Sequence, residues 1–172
     1  FSFVRRIGND LIIRLNNGRG KIISDFIPGR NEDEIKVKHH FFYGYLKDIN
    51  YIIIENIYYE SWDYTLVNLQ NGEEIEICSD DLIISPDKKN ILGLTRFNKT
   101  FAGGGINIID IAGGIPVMKF EKRFDTIDYY PVKGVWSSGS LIRVECKYEM
   151  NKTGFLFDAL LKYENNNWTL EY

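Results

Sequence analysis

The stretch from Tyr64 to Leu94 constrains the fold more than any other. Tyr64-Thr65-Leu66-Val67-Asn68-Leu69 leads into Gln70-Asn71-Gly72-Glu73 and returns as Glu74-Ile75-Glu76-Ile77. After a polar gap, Leu82-Ile83-Ile84 runs into Ser85-Pro86-Asp87-Lys88-Lys89-Asn90 and returns as Ile91-Leu92-Gly93-Leu94. Asn-Gly supplies the positive φ a tight hairpin needs, and Pro-Asp pre-sets the first turn angle and bonds nearby amides. Two such turns so close together predict consecutive antiparallel strands and leave no room for a long helix.

The rest of the chain repeats this grammar. Ile12, Ile13 and Leu15 enter Asn16-Asn17-Gly18, and Lys21 to Ile27 returns until Pro28-Gly29 stops it. Ile35 to Leu46 reads as extended, and Tyr51-Ile52-Ile53-Ile54 is too short and too β-branched for a helix. Ile106 to Ile111 turns at Ala112-Gly113-Gly114 and returns through Ile115 to Phe120, with Pro116 near the strand start. Tyr129 to Val135 and Leu141 to Tyr148 flank Ser137-Ser138-Gly139. Phe155 to Glu164 fits either period, but Asn165-Asn166-Asn167 followed by Trp168-Thr169-Leu170 favours a last hairpin. Leu66, Val67, Ile83, Ile84, Leu92, Ile108 and Val117 are the expected core.

At 172 residues the chain fits one β-rich domain, 1–172, with residues 1–42 as an N-terminal hairpin unit and 43–172 as further sheet units. Aromatics reach 15%, with 11 Tyr and 11 Phe, which favours strands over helices. A net charge of −3 argues against nucleic acid, which calls for a basic stripe. No apolar run is long enough for a membrane span. The chain opens on Phe1 rather than Met, which is compatible with a removed leader and favours a periplasmic or cell-surface location over a cytoplasmic one.

Asn68 to Glu73 followed by Ile84 to Leu92 resembles the joint between blades of WD40-like and TolB-like β-propellers, where a Gly hairpin ends one blade and a Ser-Pro-Asp-Gly turn opens the next. The likeness spans roughly residues 43–122. Lys88 stands where that pattern has Gly, and Trp62-Asp63 precedes a strand instead of ending one. The resemblance implies an all-β fold of antiparallel meander sheets, in a small or incomplete propeller-like arrangement of three to four blade-like units. It implies nothing firmer about activity than an interaction platform.

The chemistry-bearing residues form no recognisable active centre. His39 and His40 are adjacent, so on a strand their rings point to opposite faces and do not chelate one metal together. Asp80-Asp81 and Asp125 with Asp128 lack the spacing of a calcium loop and read as solvated acidic turns. Ala102-Gly103-Gly104-Gly105 precedes a strand, so no helix amides follow to hold a phosphate. Cys78 and Cys146 sit in strand-like runs, either as two buried apolar residues or as a disulfide. No metal and no cofactor are expected, and the chain is not expected to be an enzyme.

The aromatic set Tyr43, Tyr45, Tyr58, Tyr59 and Trp62 is the candidate binding surface. Tyr and Trp concentrate at protein interfaces, where rings bury area and polar tips stay wet. Core packing of the same strands is the competing reading. The expected function is a non-catalytic module that binds another protein, such as a bacterial cell-envelope subunit or an immunity-type inhibitor. The alternative is a carbohydrate-binding or carbohydrate-active β-protein using an aromatic patch and a carboxylate site.

Overall fold

A computed structural model describes residues 3–30, 34–77, 79–96, 104–124, 129–150 and 153–172. The chain divides into two compact units, Phe1–Cys78 and Ser79–Tyr172. Among the described residues the only helical element is the short 3-10 turn Glu34–Lys36; everything else regular is strand. No helix among them is long and apolar enough to cross a membrane.

The first unit holds two antiparallel meanders. One is three-stranded: β1 (Val4–Ile7), β2 (Asp10–Arg14) and β3 (Gly20–Ser24). The other is four-stranded: β4 (Lys38–Leu46), β5 (Tyr51–Tyr58), β6 (Trp62–Asn68) and β7 (Glu74–Ile77). Leu11, Ile13 and Leu15 pack against Ile52, Ile54, Val67 and Leu69 in one buried cluster, so the small meander covers one face of the larger one. The Asn71-Gly72 hairpin forms as expected. Gly72 takes φ 82° and donates its amide to Asn68 O at 2.8 Å, while Asn68 Oδ1 accepts from Gln70 N at 2.7 Å.

The second unit holds two four-stranded meanders. β8 (Asp81–Ile84), β9 (Asn90–Thr95), β10 (Gly104–Asp110) and β11 (Val117–Phe124) form the first, and β12 (Tyr129–Ser138), β13 (Leu141–Met150), β14 (Thr153–Glu164) and β15 (Asn167–Glu171) the second. Their facing residues, including Leu92, Leu94, Ile106, Ile108, Trp136, Ile142, Val144, Leu161 and Trp168, make one core. The Trp136 indole N–H donates to Ile83 O at 3.0 Å, which satisfies the buried ring. Close packing of the two sheets depends on Gly134, where a Cβ would overlap the Leu92 side chain.

All four sheets follow sequence order, so the all-β meander architecture read from the turns is the observed one, with three four-stranded blade-like units and one of three strands. The Ser85–Asn90 turn closes with Ser85 Oγ on Asp87 Oδ1 at 2.6 Å, and Lys88 takes the left-handed φ 57°. Asn165 and Asn166 turn the last hairpin at φ 51° and 63°. Two residues of the expected core are exposed. Ile84 follows Ile83 on one strand, so only one can face inward, and Val117 lies on the edge strand β11, on its outer side. Cys146 is a free, fully buried thiol in the second core, and burial pushes its pKa up to about 11. The other cysteine, Cys78, lies outside the described residues.

Candidate functional site

Strand register decides which of the five aromatic candidates share a face. His39, Ile57 and Trp62 form one cross-strand row of β4–β5–β6, and Phe41, Glu55, Tyr64 and Ile77 form the next. Between Phe42 and Gly44 the ladder shifts by one residue, leaving Tyr43 as the extra residue of a bulge. Its ring packs edge-on against Tyr64 at 5.0 Å, on the same face as Phe41 and Trp62. Phe41, Tyr43 and Trp62 are 43%, 52% and 41% exposed, so three large rings stand partly in solvent at one end of that face.

Tyr45 and Tyr58 lie on the other face. Tyr45 pairs with Ile52, packs edge-on against Phe3 at 4.9 Å and borders the buried cluster of the first unit. Tyr58 donates its hydroxyl to Asp63 Oδ2 at 3.1 Å, with the Lys38 ammonium 5.1 Å above its ring. Tyr59 sits exposed in the turn between β5 and β6. The structure therefore places Tyr43 and Trp62 on the same face as Phe41, and leaves Tyr45 and Tyr58 as packing and hydrogen-bonding residues on the opposite one.

A polar chain fixes the backbone under this aromatic end. Asn56 donates its amide nitrogen to Asp63 Oδ1 at 2.6 Å and to Thr65 Oγ1 at 2.9 Å. A carboxylate only accepts, so the amide orientation is set, and Asn56 Oδ1 must accept from the His40 Nδ1–H at 2.7 Å. His40 is thereby held as the Nδ1–H tautomer. Burial pulls its pKa below the ordinary value, against the opposing pull of the Asn56 bond. Three strands are tied together through one amide side chain.

Asp25 closes the edge of β4. Its carboxylate accepts from Arg6 Nη1 at 2.8 Å and the His40 amide at 2.9 Å, and lies 3.1 Å from His39 Nδ1. Burial raises the Asp25 pKa, but the hydrogen bonds from His39, His40 and Arg6 and the Arg6 charge outweigh it, and the group stays below the ordinary carboxylate value. The Arg6 guanidinium, which also bonds His40 O, lies 5.2 Å over the Phe41 ring. The face thus combines Trp, Tyr, Phe and Arg on strands that are locked from behind. Phe41 and Arg6 are its members that the sequence alone did not single out.

The two histidine rings diverge as expected, His39 towards Asp25 and Phe41 and His40 towards Asn56. Among the described residues no three His, Cys, Asp or Glu side chains converge as a metal site. Asp80 accepts from the Arg96 amide at 2.5 Å, and Asp81 pairs with the Arg96 side chain at 2.5 Å, so this acidic pair serves the strand edge. Asp125, Asp128, Ala102 and Gly103 lie outside the described residues, and Gly104 and Gly105 of the Gly-rich stretch open β10.

No family model and no curated protein matches the chain. Solved structures of other proteins resemble it, two among them at 11% identity. The tricorn protease aligns at TM-score 0.44 and 11% identity over 94% of this chain, which spans only 18% of that one. A candidate 6-phosphogluconolactonase from Bacteroides fragilis aligns at TM-score 0.37 and 11% identity over 98% of this chain and 72% of that one. The second likeness corrects the expectation that the chain is not an enzyme: that exclusion rested on missing motifs, and one of the structures this chain resembles is described as a candidate 6-phosphogluconolactonase. At this distance neither structure carries its activity over.

Proposed function

We propose that this chain is a protein-binding module whose partner docks on the aromatic end of the β4–β6 face. The carrying observation is the exposure of Phe41, Tyr43 and Trp62 on one face of the sheet, with Arg6 against Phe41. Trp, Tyr and Arg dominate the energetic centres of protein interfaces, and large rings left in water are costly unless something covers them. The Asn56 chain and the Asp25 clamp lower the ordering cost of binding, because strand positions and Arg6 are set beforehand. An envelope-complex subunit or a toxin inhibitor would both use such a face.

The test is capture from native extract with the wild-type chain and with Phe41→Ser and Trp62→Ala. A stoichiometric protein retained by wild type and lost by both variants, at unchanged folding, supports the reading. A partner retained equally by all three would place recognition elsewhere.

A further inference from the structure

The second unit carries a cleft of ≈ 390 Å³ at one end of its two sheets. Its wall is aromatic. Tyr163 packs at 5.2 Å against Trp168, which packs in turn edge-on against Trp136 at 5.9 Å. Trp168 is buried while Tyr163 is 41% exposed, so an indole ladder rooted in the core presents one phenol ring to the cleft. A ring backed this way has little freedom left to lose when a ligand stacks on it.

The opposite wall is polar. Asp87 spends Oδ1 on Ser85 Oγ at 2.6 Å and on the Lys89 amide at 3.2 Å. Its Oδ2 lies against Gly139, where a Cβ would overlap it. Asp110 takes the Ala112 amide on Oδ1 at 2.8 Å, with Lys119 Nζ 3.8 Å from Oδ2. Asn90 and Lys89 complete this side. Two carboxylates face two ammonium groups, so the cleft favours neither an anion nor a cation. It offers instead alternating donors and acceptors beside an apolar ring face.

From this arrangement we infer a second binding site, distinct from the aromatic face of the first unit, that takes a neutral saccharide of one or two pyranose rings. The C–H face of the sugar stacks on Tyr163, and its hydroxyls donate to Asp87 Oδ2 and Asp110 and bond the Asn90 carboxamide. The cleft volume lies in the ordinary range for small-ligand sites, and its lining is mostly polar around one aromatic wall, which suits a hydroxyl-rich ligand.

Saturation-transfer NMR and calorimetry on the full chain test it, with glucose, galactose, N-acetylglucosamine, cellobiose, maltose and chitobiose as probes. At least one should bind, and Tyr163→Ala should weaken it by roughly tenfold or more, the scale of one lost aromatic contact. Tyr163→Phe keeps the platform and should retain most of the affinity. Asp87→Asn keeps the turn's acceptor but removes the charge, and should also weaken binding. Because Tyr163→Ala touches Trp168, thermal melts accompany it; if that variant melts early, the comparison of Tyr163→Phe with Asp87→Asn decides. Failure of all six sugars at millimolar concentration, or binding indifferent to Tyr163 and Asp87, would overturn the inference and leave the protein-binding reading of the first unit standing.

Discussion

Replacing Asn56 by Leu isolates what the polar chain contributes. Leu has the branched shape of Asn, so no cavity opens, but its methyls are bulkier and some overpacking of this buried site adds to the loss of hydrogen bonding. Two buried groups lose their partner: the His40 Nδ1–H and the Thr65 hydroxyl. Asp63 also loses the 2.6 Å bond, but keeps Tyr58 and is half-buried, so water can reach it. A stranded buried group costs about 1–3 kcal/mol. Thr65 can rotate its hydroxyl and sits at the low end; His40 cannot and sits higher. The extra apolar surface of Leu returns part of this, which leaves a loss of about 3 kcal/mol. Against a typical total of roughly 5–15 kcal/mol that is a large fraction. Urea denaturation followed by far-UV circular dichroism should show a lower midpoint at unchanged slope. A loss under about 1 kcal/mol would refute the reasoning, because β4, β5 and β6 would then hold their register without this amide.

Three further outcomes follow from individual positions. Lys88 pays the left-handed penalty at φ 57°, so Lys88→Gly should stabilise the chain by about 0.5–1 kcal/mol after Gly's greater unfolded-state entropy is subtracted, read as a raised melting temperature. Gly93→Ala should destabilise by about 1–3 kcal/mol, because its Cβ would overlap the buried Asn107 Oδ1 and Ser79 Oγ; a wild-type melting temperature would contradict that packing. In acid, His40 has a pKa lowered from 6.5, so the unfolded chain binds its proton first: this contribution is full above that value and is lost as pH falls from there towards the lowered one. Asp25, held below 3.8, adds stability that persists until pH falls below that value and through its depressed one. His40→Gln should flatten the upper loss in pH-dependent melts and leave the lower one in place.

The turns were the most legible part of the sequence because their chemistry is local. A positive φ admits Gly or Asn with little strain, and Gly18, Gly72, Gly114, Asn165 and Asn166 all occupy such positions. Facing was less legible, because it depends on register. Tyr43 and Tyr45 have the same parity and read as one face, but the bulge at Tyr43 turns Tyr45 to the opposite side, beside Phe42. Ile83-Ile84 shows the same limit: an apolar pair announces a strand without saying which member is inside. The polar chain was invisible, since His40, Asn56 and Thr65 meet only when β4, β5 and β6 align. Asp25 and Arg6 come from the small meander, and nothing near either residue in sequence announces their pairing.

The central claim rests on Trp62, and one variant tests it on two axes. Trp62→Ala removes a ring that is 41% exposed. A fully buried Trp costs about 3–5 kcal/mol of stability on truncation, so a half-exposed one should cost about 2 kcal/mol or less. As an anchor in a protein interface, its loss should weaken binding by about 2 kcal/mol or more, some thirtyfold. Melting temperature and affinity for the captured partner are measured on the same preparation. A small thermal shift with a large loss of affinity is the predicted result; a large thermal shift with affinity unchanged would make Trp62 a packing residue and contradict the binding face.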